Sequence, residues 1–139
     1  MFVREVCPKR VGTINSDATV SQAARRMRQK SMGALVVGGR TGPVEGILTE
    51  HELVIRWAAD EGSRMATVSD VMSREPVAVS DTTPVEKALS VMAGQGIQRL
   101  VVTSDDGELV GVLALEDVLA LLTDDVWNNT SLLRRQVHA

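Results

Sequence analysis

The chain of 139 residues has no tyrosine, one phenylalanine (Phe2) and two tryptophans (Trp57, Trp127). Its core must therefore be built from Val, Leu, Ala, Ile and Met. Cys7 is the only cysteine, so no intramolecular disulfide can form, and the usage fits a reducing, cytoplasmic setting. Nothing near Cys7 in the sequence supplies a base, which argues against a reactive thiol. The two histidines, His51 and His138, lack ligand-like companions, and no metal site is expected. No apolar run approaches the ~18 residues of a membrane span. The opening segment MFVREVCPKR has no apolar stretch of the signal-peptide kind. A net charge of −3 and a pI near 5.4 leave no broad basic field, which makes nucleic acid a poor partner. The one basic run, Arg25, Arg26, Arg28 and Lys30, reads either as a solvated helix face or as an anion or partner site.

What is present is a repeat. Gly46-Ile47-Leu48-Thr49-Glu50-His51-Glu52 and Gly111-Val112-Leu113-Ala114-Leu115-Glu116-Asp117 have the same shape and stand 65 residues apart. At that offset Val3 meets Val68, Val20 meets Val85, Ala23 meets Ala88 and Met27 meets Met92. Leu35-Val36-Val37 meets Leu100-Val101-Val102, and Gly42 meets Gly107. No gap is needed from Val3 to Leu119, so the chain carries one unit twice.

Each copy reads as β-α-β-β-α behind a short helical leader, Phe2 to Cys7 and Val68 to Met72. The first strands are expected over 10–15 and 76–80, the second over 34–37 and 100–103, and the third over 44–48 and 109–113. Apolar positions Val20, Ala23, Ala24, Met27 and Val85, Ala88, Leu89, Met92 recur at three and four, the spacing of a helix with one buried face. Asp17 or Thr19 caps the first of these helices. Thr83 caps the second, with Pro84 at its first position and Glu86 closing a capping box. The fold class is α+β, two layers, with two pseudo-two-fold related repeats packed through their sheets. The divisions are 1–66, 67–122 and a helical tail over 123–139. One copy alone buries too little surface for comfort, and two packed together leave two related clefts between them.

The repeat, the element order and the Gly-h-x-[Ser/Thr]-x-x-[Asp/Asn] heptad resemble a tandem CBS-domain pair, a Bateman module, from about Val3 to about Leu122. The segment Val68-Ser69-Asp70-Val71-Met72 is similar to the V-x-D-V-M that opens many such repeats. The resemblance implies clefts for adenosine-containing ligands such as AMP, ADP, ATP or S-adenosylmethionine. The heptad acid then takes the ribose diol, the heptad hydroxyl the phosphate, and the partner repeat's strands form the adenine floor. Carried over, one cleft joins Asp117 with Val11, Thr13, Met32, Gly33 and Ala34. The other joins Thr49 and Glu52 with Val77, Ile97, Gln98 and Arg99, of which Arg99 resembles a phosphate-directed base. A carboxylate can accept from both hydroxyls of a diol, and helix-start N–H groups suit a phosphate.

Both heptads depart from the pattern. The first has Glu52 where Asp or Asn is usual, and the second has Ala114 where Ser or Thr is usual. Losing one hydrogen bond to a phosphate costs about 1.5–3 kcal/mol, or roughly 10- to 100-fold in affinity. Each polar residue also has a structural reading. Thr49 and Glu52 can form a capping box, Asp117 can complement the helix dipole, and Arg99 can serve a surface or dimer contact. The Asp117 cleft is expected to be the better nucleoside site and the Glu52 cleft weak or empty. No nucleophile–base set is visible, so no enzyme is expected. The reading is a regulatory module acting on an unidentified protein target in trans. The alternative is a ligand-free pair serving as a dimerisation scaffold. A homodimer is expected through the helices after the heptads, with Leu53, Val54, Trp57 and Val118, Leu119, Leu122 as faces. The segment from Thr123 is expected to dock as a further helix through Trp127 and the leucines.

Overall fold

The computed structural model describes residues 1–129. The first repeat holds β1 (Thr13–Ile14), α2 (Val20–Lys30), β2 (Ala34–Gly38) and β3 (Val44–Thr49), preceded by α1 (Val3–Val6). The second holds β5 (Ala78–Ser80), α5 (Val85–Gln95), β6 (Arg99–Thr103), β7 (Leu109–Ala114) and α6 (Leu115–Asn129). Between them lie α3 (Glu50–Glu52), a π-helical stretch Leu53–Ala58, α4 (Val68–Val71) and β4 (Ser73–Arg74). Each β-α-β-β unit makes its own sheet, β1-β2-β3-β4 and β5-β6-β7, with the first pair parallel and the second antiparallel.

Strand alternation decides where each side chain goes. Leu35 and Val37 point to α2 and join a core of Ile14, Val20, Ala23, Met27 and Leu48. Leu100 and Val102 do the same beneath α5, with Val85, Ala88, Met92 and Leu113. Val36 and Val101 lie on the opposite faces and are also buried, so each sheet is covered on both sides. The approach of the repeats is close at Gly39, where an added Cβ would sit 3.3 Å from Leu109 Cδ2.

The leaders cross over. α1 precedes the first repeat, yet its Val3 and the following Cys7 belong to the second repeat's core. α4 precedes the second repeat, and its Val68 and Val71 belong to the first repeat's core, as does Met72. Equivalent backbone bonds hold both crossings. Val3 N–H donates to the Thr83 carbonyl at 2.8 Å and Val68 N–H to the Ala18 carbonyl at 2.8 Å. Arg4 N–H reaches the Asp81 carbonyl and Ser69 N–H the Ser16 carbonyl, both at 2.9 Å. These pairs stand 65 residues apart, so the pseudo-two-fold is written in the hydrogen bonds as well as in the sequence.

The structure decides between the two caps offered for α2 and corrects several other expectations. α2 is capped by Thr19, whose Oγ1 accepts from Gln22 N–H at 3.1 Å while Thr19 N–H donates to Gln22 Oε1 at 2.9 Å. α5 starts one residue later than expected, with Pro84 as the cap residue and no side-chain cap, because Thr83 spends its carbonyl on the crossing leader. The first strands are shorter, and β4 was not foreseen. Leu53 and Trp57 pack on the first core and Val118 is 1% exposed, so these three serve the chain's own interior. Val54, Ile55 and Leu119 are exposed. α6 runs on to Asn129 through the expected tail boundary at 123, and residues 130–139 lie outside the described residues, as do the side chains of Leu122 and Trp127. No helix among the described residues is long and apolar enough to cross a membrane.

Candidate functional site

The site begins where β3 gives way to α3. Thr49 is extended (φ −118°, ψ 169°) and α3 follows at once, so the side chain three residues on can fold back to the Thr49 amide. Glu52 does so: Thr49 N–H donates to Glu52 Oε2 at 3.0 Å, and Thr49 Oγ1 donates to the same oxygen. Ser73 Oγ donates to Glu52 Oε1 at 2.7 Å. Both carboxylate oxygens of this buried acid are therefore engaged by the chain itself. Ser73 arrives because β4 pairs antiparallel with β3, placing it opposite Ile47.

Beside this junction lies a cleft of about 480 Å³. It gathers Thr49, Glu52, Val77, Ile97, Gln98 and Arg99, all six residues placed on that side by the sequence. It also takes in Ile47, His51, Ser73, Arg74, Glu75, Pro76 and Gly96. Ile47, Val77, Ile97 and Pro76 provide apolar wall, and Arg74 and Arg99 provide positive charge. Arg99 Nη2 lies 3.8 Å from Glu116 Oε1, with side chains 30% and 73% exposed, an ion pair too wet to contribute more than about 1 kcal/mol. Ser73 and Arg74 were missed because a two-residue strand has no periodicity; their one signal was their place just after V-x-D-V-M.

The second junction is built alike but less completely. Ala114 N–H donates to Asp117 Oδ2 at 2.9 Å, the counterpart of the Thr49–Glu52 bond. Ala114 has no hydroxyl to add, and the counterpart of Ser73 is Pro8, which cannot donate. Asp117 Oδ1 makes no hydrogen bond among the described residues. The residues expected to form the floor of this cleft have the following neighbours. Thr13 is buried and its Oγ1 accepts from Arg40 Nε at 2.7 Å, towards the far end of β2. Met32 covers Gly12, its Sδ 2.8 Å from where a Cβ would stand. Met32 and Gly33 line a cavity of about 410 Å³ with α2 residues, Glu50 and Leu53. Val11 is half-buried, and Ala34 pairs with Thr49 in the β2–β3 ladder.

Cys7 sits behind Asp117. Burial pushes its thiol up to about 11, helped by the charges of Asp117 and Asp81. The neutral thiol is thus favoured in the folded chain, and stability present below the ordinary value of 9.0 is lost as pH rises towards 11. Cys7 is expected to resist maleimide at pH 8 in the native protein and to react promptly in denaturant, which a mass-shift time course measures.

The profile of the CBS domain matches twice, over residues 3–58 and 68–124. The chain belongs to the CBS domain family. It is 33% identical over 116 residues to the CBS domain-containing protein YhcV of Bacillus subtilis, spanning 84% of this chain and 81% of that one. It is 30% identical over 118 residues to an uncharacterized protein of Methanopyrus kandleri, spanning 84% of this chain but only 60% of that one. Among solved structures, a CBS domain protein from Pyrobaculum aerophilum complexed with AMP superposes with a TM-score of 0.76 at 24% identity, covering 88% and 99% of the two chains. The CBS domain pair of protein MJ0100, in complex with 5′-methylthioadenosine and S-adenosyl-L-methionine, gives 0.78 at 21%, covering 90% and 98%. These likenesses show a shared fold, a CBS pair.

Proposed function

We propose that this CBS pair is a regulatory module that senses an adenosine-containing nucleotide and acts on a partner protein in trans. The observation that carries the reading is the single cleft that gathers Thr49, Glu52, Val77, Ile97, Gln98 and Arg99. Its volume lies within the range of small-molecule sites. A flat ring fits between Ile47, Val77 and Ile97, and a phosphate is served by Arg99 and Arg74. The solved relatives that hold AMP and S-adenosyl-L-methionine support this ligand class. A phosphate that takes Arg99 releases Glu116 in the first turn of α6, which gives the signal a route out of the cleft. Exposed Val54, Ile55 and Leu119 on the helices after the heptads suit a homodimer.

A second reading has its own observation. Thr49, Glu52 and Ser73 satisfy one another without a ligand, as they would in a pair that serves only as a scaffold. Calorimetric titration with AMP, ADP, ATP and S-adenosylmethionine separates the two. Micromolar binding that Arg99→Ala weakens about 10- to 100-fold, and Asp117→Ala leaves nearly unchanged, places the working site beside Thr49. The reverse pattern places it beside Asp117. No heat and an unshifted melting temperature with every ligand leave the scaffold.

A further inference from the structure

A cavity of about 720 Å³ lies at the other end of β2 from Thr49, between β1, α2 and the 38–43 loop. Arg26, Lys30 and Arg40 line it against one acid, Glu45. Arg26 Nη1 donates to the Thr13 carbonyl and Arg40 Nε to Thr13 Oγ1 at 2.7 Å. Buried Thr13 therefore fixes two guanidinium groups from opposite walls and leaves their other N–H groups without partners among the described residues. No carboxylate among the described residues stands within 4.0 Å of any of the three cations. The N–H groups of Arg40, Thr41 and Gly42, in the loop that forms one wall, make no hydrogen bond among the described residues. Gly38 and Gly39 hold that loop in the left-handed region (φ 77° and 90°), and a Cβ on Gly38 would meet the Pro43 carbonyl at 2.7 Å. A neighbouring cavity of about 380 Å³ shares Arg26 and adds Arg25.

The fold does not demand this charge. At the equivalent positions of the second repeat, Arg26, Lys30, Arg40 and Thr13 are replaced by Val91, Gln95, Asp105 and Ala78. There Asp105 accepts from Ser80 and Thr82 hydroxyls, and no cation is needed to close the same turn. Two repeats with one backbone thus carry opposite charge at matching ends. Held guanidinium forks with spare donors in a concave pocket are the arrangement that takes a phosphate with two negative charges.

We propose that the cavity between Arg26, Lys30 and Arg40 binds a small phosphorylated metabolite, through a phosphate monoester or pyrophosphate group, at a site separate from the cleft beside Thr49. The pocket is too short in cations and the chain too acidic for a nucleic-acid backbone to be the natural occupant.

The test is calorimetric titration of the full chain with inorganic pyrophosphate, and in parallel with a short single-stranded oligonucleotide, at two salt concentrations. One pyrophosphate is expected per chain, bound more weakly as salt rises. Lys30→Gln, at a side chain that makes no hydrogen bond among the described residues, is expected to weaken binding several-fold, and Arg40→Ala about tenfold. Glu45→Gln is expected to tighten it about threefold, a gain that structural damage cannot produce. Arg99→Ala is expected to leave it unchanged, which keeps this result separate from the nucleotide cleft. No binding, equal binding by Lys30→Gln and Glu45→Gln, loss on Arg99→Ala, or an oligonucleotide that binds where pyrophosphate does not would each overturn the proposal.

Discussion

Replacing Gly111 by alanine is expected to cost about 3 kcal/mol of folding free energy, a loss on the order of 10 °C in melting temperature for a domain of this size. A Cβ there would stand 2.6 Å from the Pro8 carbonyl oxygen and 3.0 Å from Cys7 Sγ. The first contact is backbone, and it belongs to the leader that crosses from the other repeat, so neither side can give way without losing the crossing. Gly46→Ala meets the same obstacle in the other direction, with Met72 Sδ and the Ser73 carbonyl oxygen both at 2.7 Å. Gly42→Ala, with nothing within 4 Å, is the control and is expected to stay within about 0.5 kcal/mol of the parent. Urea melts of the three variants measure the differences. Equal midpoints for Gly111→Ala and Gly42→Ala would show that the leaders do not press on the heptad glycines as the structure has them. The pair of glycines that opens the heptads is thus explained by packing, before any ligand enters the argument.

Repetition was the legible part of this fold. The 65-residue offset, the Leu-Val-Val triplets and the three-and-four spacing of Val85, Ala88 and Met92 each record a buried face, and burial is what sequence periodicity reports. The crossing leaders were not legible, because Val3 has the same apolar character whichever core it enters. β4 was missed because Ser73 and Arg74 are polar and only two residues long; β3 alone makes them a strand. At the candidate site, the members of one cleft could be listed from the heptad pattern, and the structure gathers them around one cavity. Of the other list, Thr13 lines one cavity and Met32 and Gly33 another, while Arg40 holds the Thr13 hydroxyl and Met32 covers Gly12. A repeat pattern carries no record of the side-chain partner across the interface. The unequal partners of the two junctions, Ser73 and Pro8, therefore had to be seen in space.

That inequality sets the effect of removing each heptad acid. Glu52→Ala is expected to destabilise the chain by about 2–4 kcal/mol, because Thr49 N–H, Thr49 Oγ1 and Ser73 Oγ lose a charged acceptor at a buried position. Asp117→Ala removes one acceptor, from Ala114 N–H, at a half-exposed position, and is expected to cost about 1 kcal/mol. Glu52→Gln keeps an oxygen for Thr49 and turns its amide towards Ser73, which can accept in place of donating, so most of the loss is expected to be recovered. The same three variants bear on the ligand. With Glu52 committed to Thr49 and Ser73, a ribose diol must compete for Oε1, and Ser73→Ala is expected to tighten nucleotide binding a few-fold by vacating it. If Glu52→Gln keeps the stability but abolishes the binding, the carboxylate charge itself meets the diol. If it keeps both, the acid is a strut between β3 and β4, and the ligand is held by the apolar wall, Arg99 and Arg74.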